Sequence, residues 1–177
     1  MKRFLIVTDM QKDFVDGALG SKEAVSIVPA VCEKIRNFDG EIIATLDTHK
    51  EDYLNTREGR FLPVEHCIKG TPGWELDKSV KAALMEREHL LLEKETFGSI
   101  KLPAILRVMS NKEEFEVHVI GLCTDICVVS NAMLIKANFP EADVYIDAAC
   151  CAGVSPDTHK AALTTMKSCQ MIIENEE

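Results

Sequence analysis

A thiol that attacks a carbonyl, a carboxylate that takes and returns its proton, and an ammonium that steadies the negative charge together suffice for nucleophilic acyl transfer. The 177-residue chain places one of each at or just after an apolar run: Asp9 after "RFLIVT" (3–8), Lys94 after "HLLLE" (89–93) and Cys127 soon after "EVHVIGL" (116–122). Asp47 and His49 follow a further run, "EIIATL" (41–46). Two residues apart at a strand end, they project to the same side. With Glu58 and His66 farther along a polar stretch, they form a carboxylate and imidazole set of the kind that holds zinc, manganese or iron. A loop pinned by histidine hydrogen bonds explains those residues without a metal, and a packed helix position explains Cys127 without chemistry.

What must position these groups is legible in the periodicity. The runs above, with "DVYIDA" (143–148) and "QMIIE" (170–174), are short and mostly continuous, as in strands buried on both faces. Helical spacing separates them at 27–38, 75–87, 101–109, 125–138 and 156–168. In the first of these, Val28, Val31, Ile35 and Phe38 share a face and Pro29 falls in the first turn. The alternation predicts an α/β fold: an open, mostly parallel six-stranded sheet flanked by helices on both faces, a Rossmann-like three-layer arrangement forming one domain over 1–177. Ligands of such sheets bind beyond the carboxyl ends of the strands, where Asp9, Asp47, His49, Lys94 and Cys127 all fall.

Local signals refine this. Ser155 with Pro156 reads as a helix start, and Thr124 or Asp125 as the cap of the helix holding Cys127. The positive end of that helix, with Lys94 nearby, would favour a Cys127 thiolate. The polar region 47–74 is long enough to be functional, with Trp74 as its packing anchor. Phe14 reads most plainly as a core phenylalanine; were a small flat ligand to bind the crevice, Phe14 could line it with Phe61 or Leu62 opposite. His159 reads as a surface or cap residue, Cys67 as packing, and Cys150 and Cys151 as neighbours of the crevice.

A net charge of −9 and a pI near 5.1 argue against a nucleic-acid footprint or adhesion to anionic membrane. No apolar stretch reaches the roughly 20 residues of a membrane span, and the N-terminus reads as a first strand, so a cytoplasmic protein is expected. Seven cysteines, an odd number without zinc-ribbon spacing, are expected to be reduced.

"DMQKDF" (9–14), "DTH" (47–49), "EK" (93–94), "GLCTDICV" (121–128) and "DAACCAGVSPDTHKAAL" (147–163) resemble, in order, the signatures of the isochorismatase-like cysteine hydrolases, especially their nicotinamidase branch. The resemblance implies Asp9, Lys94 and Cys127 as a catalytic triad, and backbone N–H groups of Cys123 and Cys127 as an oxyanion hole. It also implies a cis peptide joining Cys123 to Thr124. It further implies a divalent metal, zinc with manganese or iron as alternatives, on Asp47, His49, Glu58 and His66, with no organic cofactor. Tyr53 departs from the pattern at a place where a ligand histidine often falls; Glu58 matches an acidic variant of the site. The implied activity is hydrolysis of nicotinamide by a homo-oligomer. The competing readings are an amidohydrolase of the same fold acting on another small amide or ureide, and a non-catalytic binding module.

Overall fold

The six apolar runs form six parallel strands: β1 (Lys2–Thr8), β2 (Glu41–Asp47), β3 (His89–Lys94), β4 (Phe115–Leu122), β5 (Asp143–Ala152) and β6 (Ile172–Glu174). They form one sheet in the order β3-β2-β1-β4-β5-β6 in a computed structural model that describes residues 1–176. The chain builds outward from β1 through β2 to β3, then returns to β1's other side with β4. The reversal puts the topological switch point between β1 and β4, where α/β sheets open a crevice.

Both faces are covered, which is why the strands lack a polar alternation. Phe4 and Ile6 of β1 point into a core shared with α5 (Leu102–Ser110), α6 (Val129–Asn138) and α7 (Pro156–Ser168). Leu5 and Val7 point the other way, to α2 (Lys22–Asn37) and α4 (Lys78–Met85). Two short helices, α1 (Lys12–Val15) and α3 (Arg57–Phe61), lie in the connections after β1 and β2.

Two expectations need correction. Helix α2 begins at Lys22, not near 27, because the Ser21 side chain caps it by accepting from Ala24 N; Pro29 therefore sits in the helix interior, on its exposed side. Its missing donor weakens one turn that burial of Ala24, Ile27, Val31 and Ile35 holds in place. Strand β5 runs four residues past the expected end at 148, with a register irregularity against β4 between Val119 and Gly121. Cys150 and Cys151 lie within it and are buried in opposite cores rather than bordering the crevice.

Candidate active site and metal centre

The carboxyl ends of β1, β2, β3 and β4 converge. Asp47 and Lys94 are register partners on β2 and β3, and Thr8 pairs with Gly121 across the switch point. Lysine length does the rest. From the edge strand β3, Lys94 reaches over β2 so that Nζ lies 3.2 Å from Asp47 Oδ1, 2.6 Å from Asp9 Oδ2 and 3.5 Å from Cys127 Sγ. All four residues are buried.

Asp9 occupies the left-handed region at φ 47°, unusual for a residue with a side chain. Its amide donates to Thr45, its carbonyl accepts from Gln11 N at 2.7 Å, and its Oδ1 accepts from Thr45 Oγ1 at 2.6 Å. Gln11 and Asp13 of the same motif are structural in a way the sequence reading missed. The Gln11 amide bonds the Asp47 carbonyl, the Asp47 N–H and the Trp74 carbonyl, tying β1, β2 and the long loop together. Asp13 Oδ2 accepts from Cys67 N at 2.8 Å. The spacing of short polar residues right after a strand was the available signal. Trp74 anchors the loop as expected, its Nε1 donating to Thr48 Oγ1.

Burial pushes the Asp9 carboxyl up, opposed by Lys94. Burial likewise raises the Cys127 thiol well above its ordinary range, Asp9 adding and Lys94 opposing. The surroundings thus pull the expected thiolate in two directions: desolvation and Asp9 disfavour it, and the Lys94 ammonium favours it. For Lys94, burial is overcome by Asp9, Cys127 and Asp47, and the ammonium is held charged.

Cys127 lies in a π-helical turn, Thr124–Val128, before α6; its wide loop closes with Val128 N donating to the Cys123 carbonyl. Such turns recur at functional sites. The non-proline cis peptide joins Leu122 to Cys123, one residue before the expected position. Neither Thr124 nor Asp125 caps the turn. Thr124 Oγ1 instead meets His159 Nδ1 at 2.7 Å, and Asp125 Oδ1 accepts from Val154 N at 3.1 Å. The Cys123 thiol is pushed up to about 12 by burial, with Asp125 and Asp9 adding.

Beside the triad, His49 Nε2 lies 2.9 Å from Asp47 Oδ2 and 3.6 Å from Glu58 Oε1; His66 Nε2 lies 3.7 Å from each of the same two oxygens. Among the described residues, Asp47, His49 and His66 offer ligand atoms all within 4.8 Å of one another, and Glu58 faces them. The donor set fits a divalent ion on two further grounds. His49 Nε2 is buried, and its near neighbour Asp47 Oδ2 is not aligned with it as a hydrogen-bond partner. His66 Nδ1 bonds the Val64 carbonyl at 2.8 Å, which fixes the tautomer and turns the Nε2 lone pair toward the acids. Tyr53 is fully buried beside this cluster. Its ring packs on both imidazoles, and its hydroxyl donates to the Leu62 carbonyl.

Phe14 is partly buried, its ring 5.4 Å from that of His66. Phe61, expected opposite it, stands on the rim at 92% exposure, and Leu62 is also exposed. Phe61 lines an open cleft of about 570 Å³ with Arg57, Glu58, Arg60 and Phe97. It ends a five-residue helix on the surface, and nothing among the described residues covers it.

An open parallel sheet whose switch point gathers carboxylate, ammonium and thiol beside a carboxylate–histidine cluster defines a hydrolase of the cysteine type. The model of the isochorismatase domain matches residues 3–177. The chain is 30% identical over 181 residues to the nicotinamidase/pyrazinamidase of Mycobacterium tuberculosis, covering 94% of this chain and 95% of the relative. It superposes on the crystal structure of a nicotinamidase from Bacillus subtilis with a TM-score of 0.84 at 27% identity, covering 99% and 100% of the two chains. For the pyrazinamidase of Pyrococcus horikoshii, solved in complex with zinc, the TM-score is 0.79 at 30% identity, covering 98% of each. The chain belongs to the isochorismatase family, in its nicotinamidase branch.

Proposed function

We propose that the chain is a single-domain nicotinamidase that hydrolyses nicotinamide to nicotinate and ammonia through Cys127. The observation that carries this is the position of Lys94 Nζ, within 3.5 Å of Asp9, Asp47 and Cys127 at once. Asp9 takes the Cys127 proton as the sulfur attacks the carboxamide carbon, so charge separation coincides with bond formation. Backbone N–H groups of Cys123 and Cys127 face the resulting oxyanion, a pair whose loss is worth about 2.7–4 kcal/mol per donor. Asp9 then passes the proton to the leaving nitrogen and ammonia departs, leaving a thioester. A water that gives its proton to Asp9 attacks this ester, and collapse releases nicotinate with Cys127 reprotonated. Lys94 stays charged throughout, holding Asp9 in place and offsetting negative charge on sulfur.

Asp47, His49, His66 and Glu58 would hold a divalent metal, with zinc the ion their chemistry favours. An ion held there would offer Lewis acidity to the ring nitrogen of the substrate. Phe14 supports the ring from one side, and the rim residues Phe61 and Leu62 border the entrance.

Ammonia release from nicotinamide tests the reading. Purified protein should turn over, Cys127→Ala should reduce kcat by at least about 10³-fold, and chelation should stop turnover until zinc, manganese or iron is restored. A fully metal-loaded protein that is inert on nicotinamide but active on another amide or ureide would move the substrate and keep the hydrolase.

A further inference from the structure

The Thr124–His159 pair belongs to neither the triad nor the metal cluster. Thr124 is fully buried, and a buried hydroxyl needs a partner. That partner is His159 Nδ1 at 2.7 Å, on the first full turn of α7. His159 is itself held. Its amide donates to the Ser155 carbonyl at 2.9 Å, and Ser155 and Thr158 close a reciprocal cap at the helix start. Gly153 passes so near that a Cβ there would sit about 3 Å from the His159 backbone. A second tether runs alongside, Val154 N donating to Asp125 Oδ1. The end of β5 and the start of α7 thus grip the turn that begins at Cys123 and carries Cys127.

We propose that His159 is a positioning residue for the hydrolysis: through the Thr124 hydroxyl it fixes the turn that presents Cys127 and the Cys123 and Cys127 amides to the carbonyl. This rests on Cys127 being the nucleophile. Burial lowers the pKa of His159, so the imidazole is neutral near pH 7 and can accept from, or donate to, the hydroxyl as its tautomer dictates. Displacing reacting groups by about 1 Å costs on the order of 10²-fold in rate, so a turn free to shift by part of that distance loses a measurable share of kcat.

The test compares His159→Ala, His159→Asn, His159→Gln, Thr124→Val and the Thr124→Val/His159→Ala double variant. Two readouts are kcat and KM for nicotinamide, and the rate of Cys127 alkylation by iodoacetamide at fixed pH. Asparagine places its amide near the Nδ1 position and glutamine near Nε2. The expected result is a kcat loss of roughly ten- to hundredfold in His159→Ala with KM within about twofold. Asparagine but not glutamine should recover most of it, and the double variant should be no worse than the poorer single one. Alkylation should change in parallel. Wild-type kcat in His159→Ala, equal behaviour of asparagine and glutamine, or losses that multiply in the double variant would overturn the proposal. If the wild type does not hydrolyse nicotinamide, the substrate reading fails separately and alkylation decides. A shared, non-additive change of several-fold in Thr124→Val and His159→Ala supports the pair, and wild-type rates in both sink it.

Discussion

Lys94 is the residue on which the site turns. It is charged, buried, and within reach of two carboxylates and a thiol. Removing one partner of a buried ionic group leaves the others uncompensated. Lys94→Met should therefore lower stability by about 3–5 kcal/mol at pH 7, with Asp9 and Asp47 then facing each other across an apolar gap. The loss should shrink at lower pH as those carboxyls protonate. Urea midpoints at pH 7 and pH 5 measure it, and an unchanged midpoint at pH 7 would show that Lys94 contributes no net stability. The same paired environment bears on Cys127: the lysine charge that would favour its thiolate is shared with two acids.

At the scale of elements, the strands were legible because a two-faced sheet demands unbroken apolar runs, and each run in the chain became one strand. Their ends located Asp9, Asp47, His49, Lys94 and the Cys127 turn in one crevice. Less legible was anything set by tertiary partners. Thr124 and Asp125 have the chemistry of caps, but the π-helical turn directs them to His159 and Val154 N, which lie some 30 residues on in the chain. His159 looked like a surface residue because helical periodicity says nothing about a turn packed against the helix start. Pro29 misled the start of α2 because proline normally marks a first turn, whereas here burial outweighs its cost. Gly121 is an element-scale residue sensitive to change. It has φ +114°, and a Cβ there would collide with the Thr8 carbonyl across the switch point. Gly121→Ala should cost about 3 kcal/mol or more, through backbone strain and the displaced β1–β4 ladder. Thermal unfolding checks this, and a Tm within a degree of wild type would contradict it.

At the scale of the whole molecule, a part-buried polar link ties one helical layer to the sheet. Lys34 of α2 reaches Asp147 of β5 at 2.8 Å, and Asn175 Nδ2 donates to the same carboxylate at 2.9 Å. Burial works against the charge on Asp147, but Asn175 and Lys34 outweigh it and hold its carboxyl below the usual range. A depressed carboxyl pKa contributes stability that is present above the unfolded value, about 3.9, and lost as pH falls through the folded one. Asp147→Asn should thus cost about 1.5–3 kcal/mol at pH 7, with the gap to wild type closing below about pH 4. Chemical denaturation across that range reads it. Strand order carries a different consequence, for the time at which the protein is made. Strand β1 leaves the ribosome first, yet it lies at the middle of the sheet, with β2 on one side and β4 on the other. While the segments between them are being translated, its second edge has nothing to pair with, and an open apolar strand invites wrong partners. In chains arrested at successive lengths, β1 should stay open to protease and bound by chaperones until Leu122 has cleared the exit tunnel, so the crevice can close only after β4 has emerged.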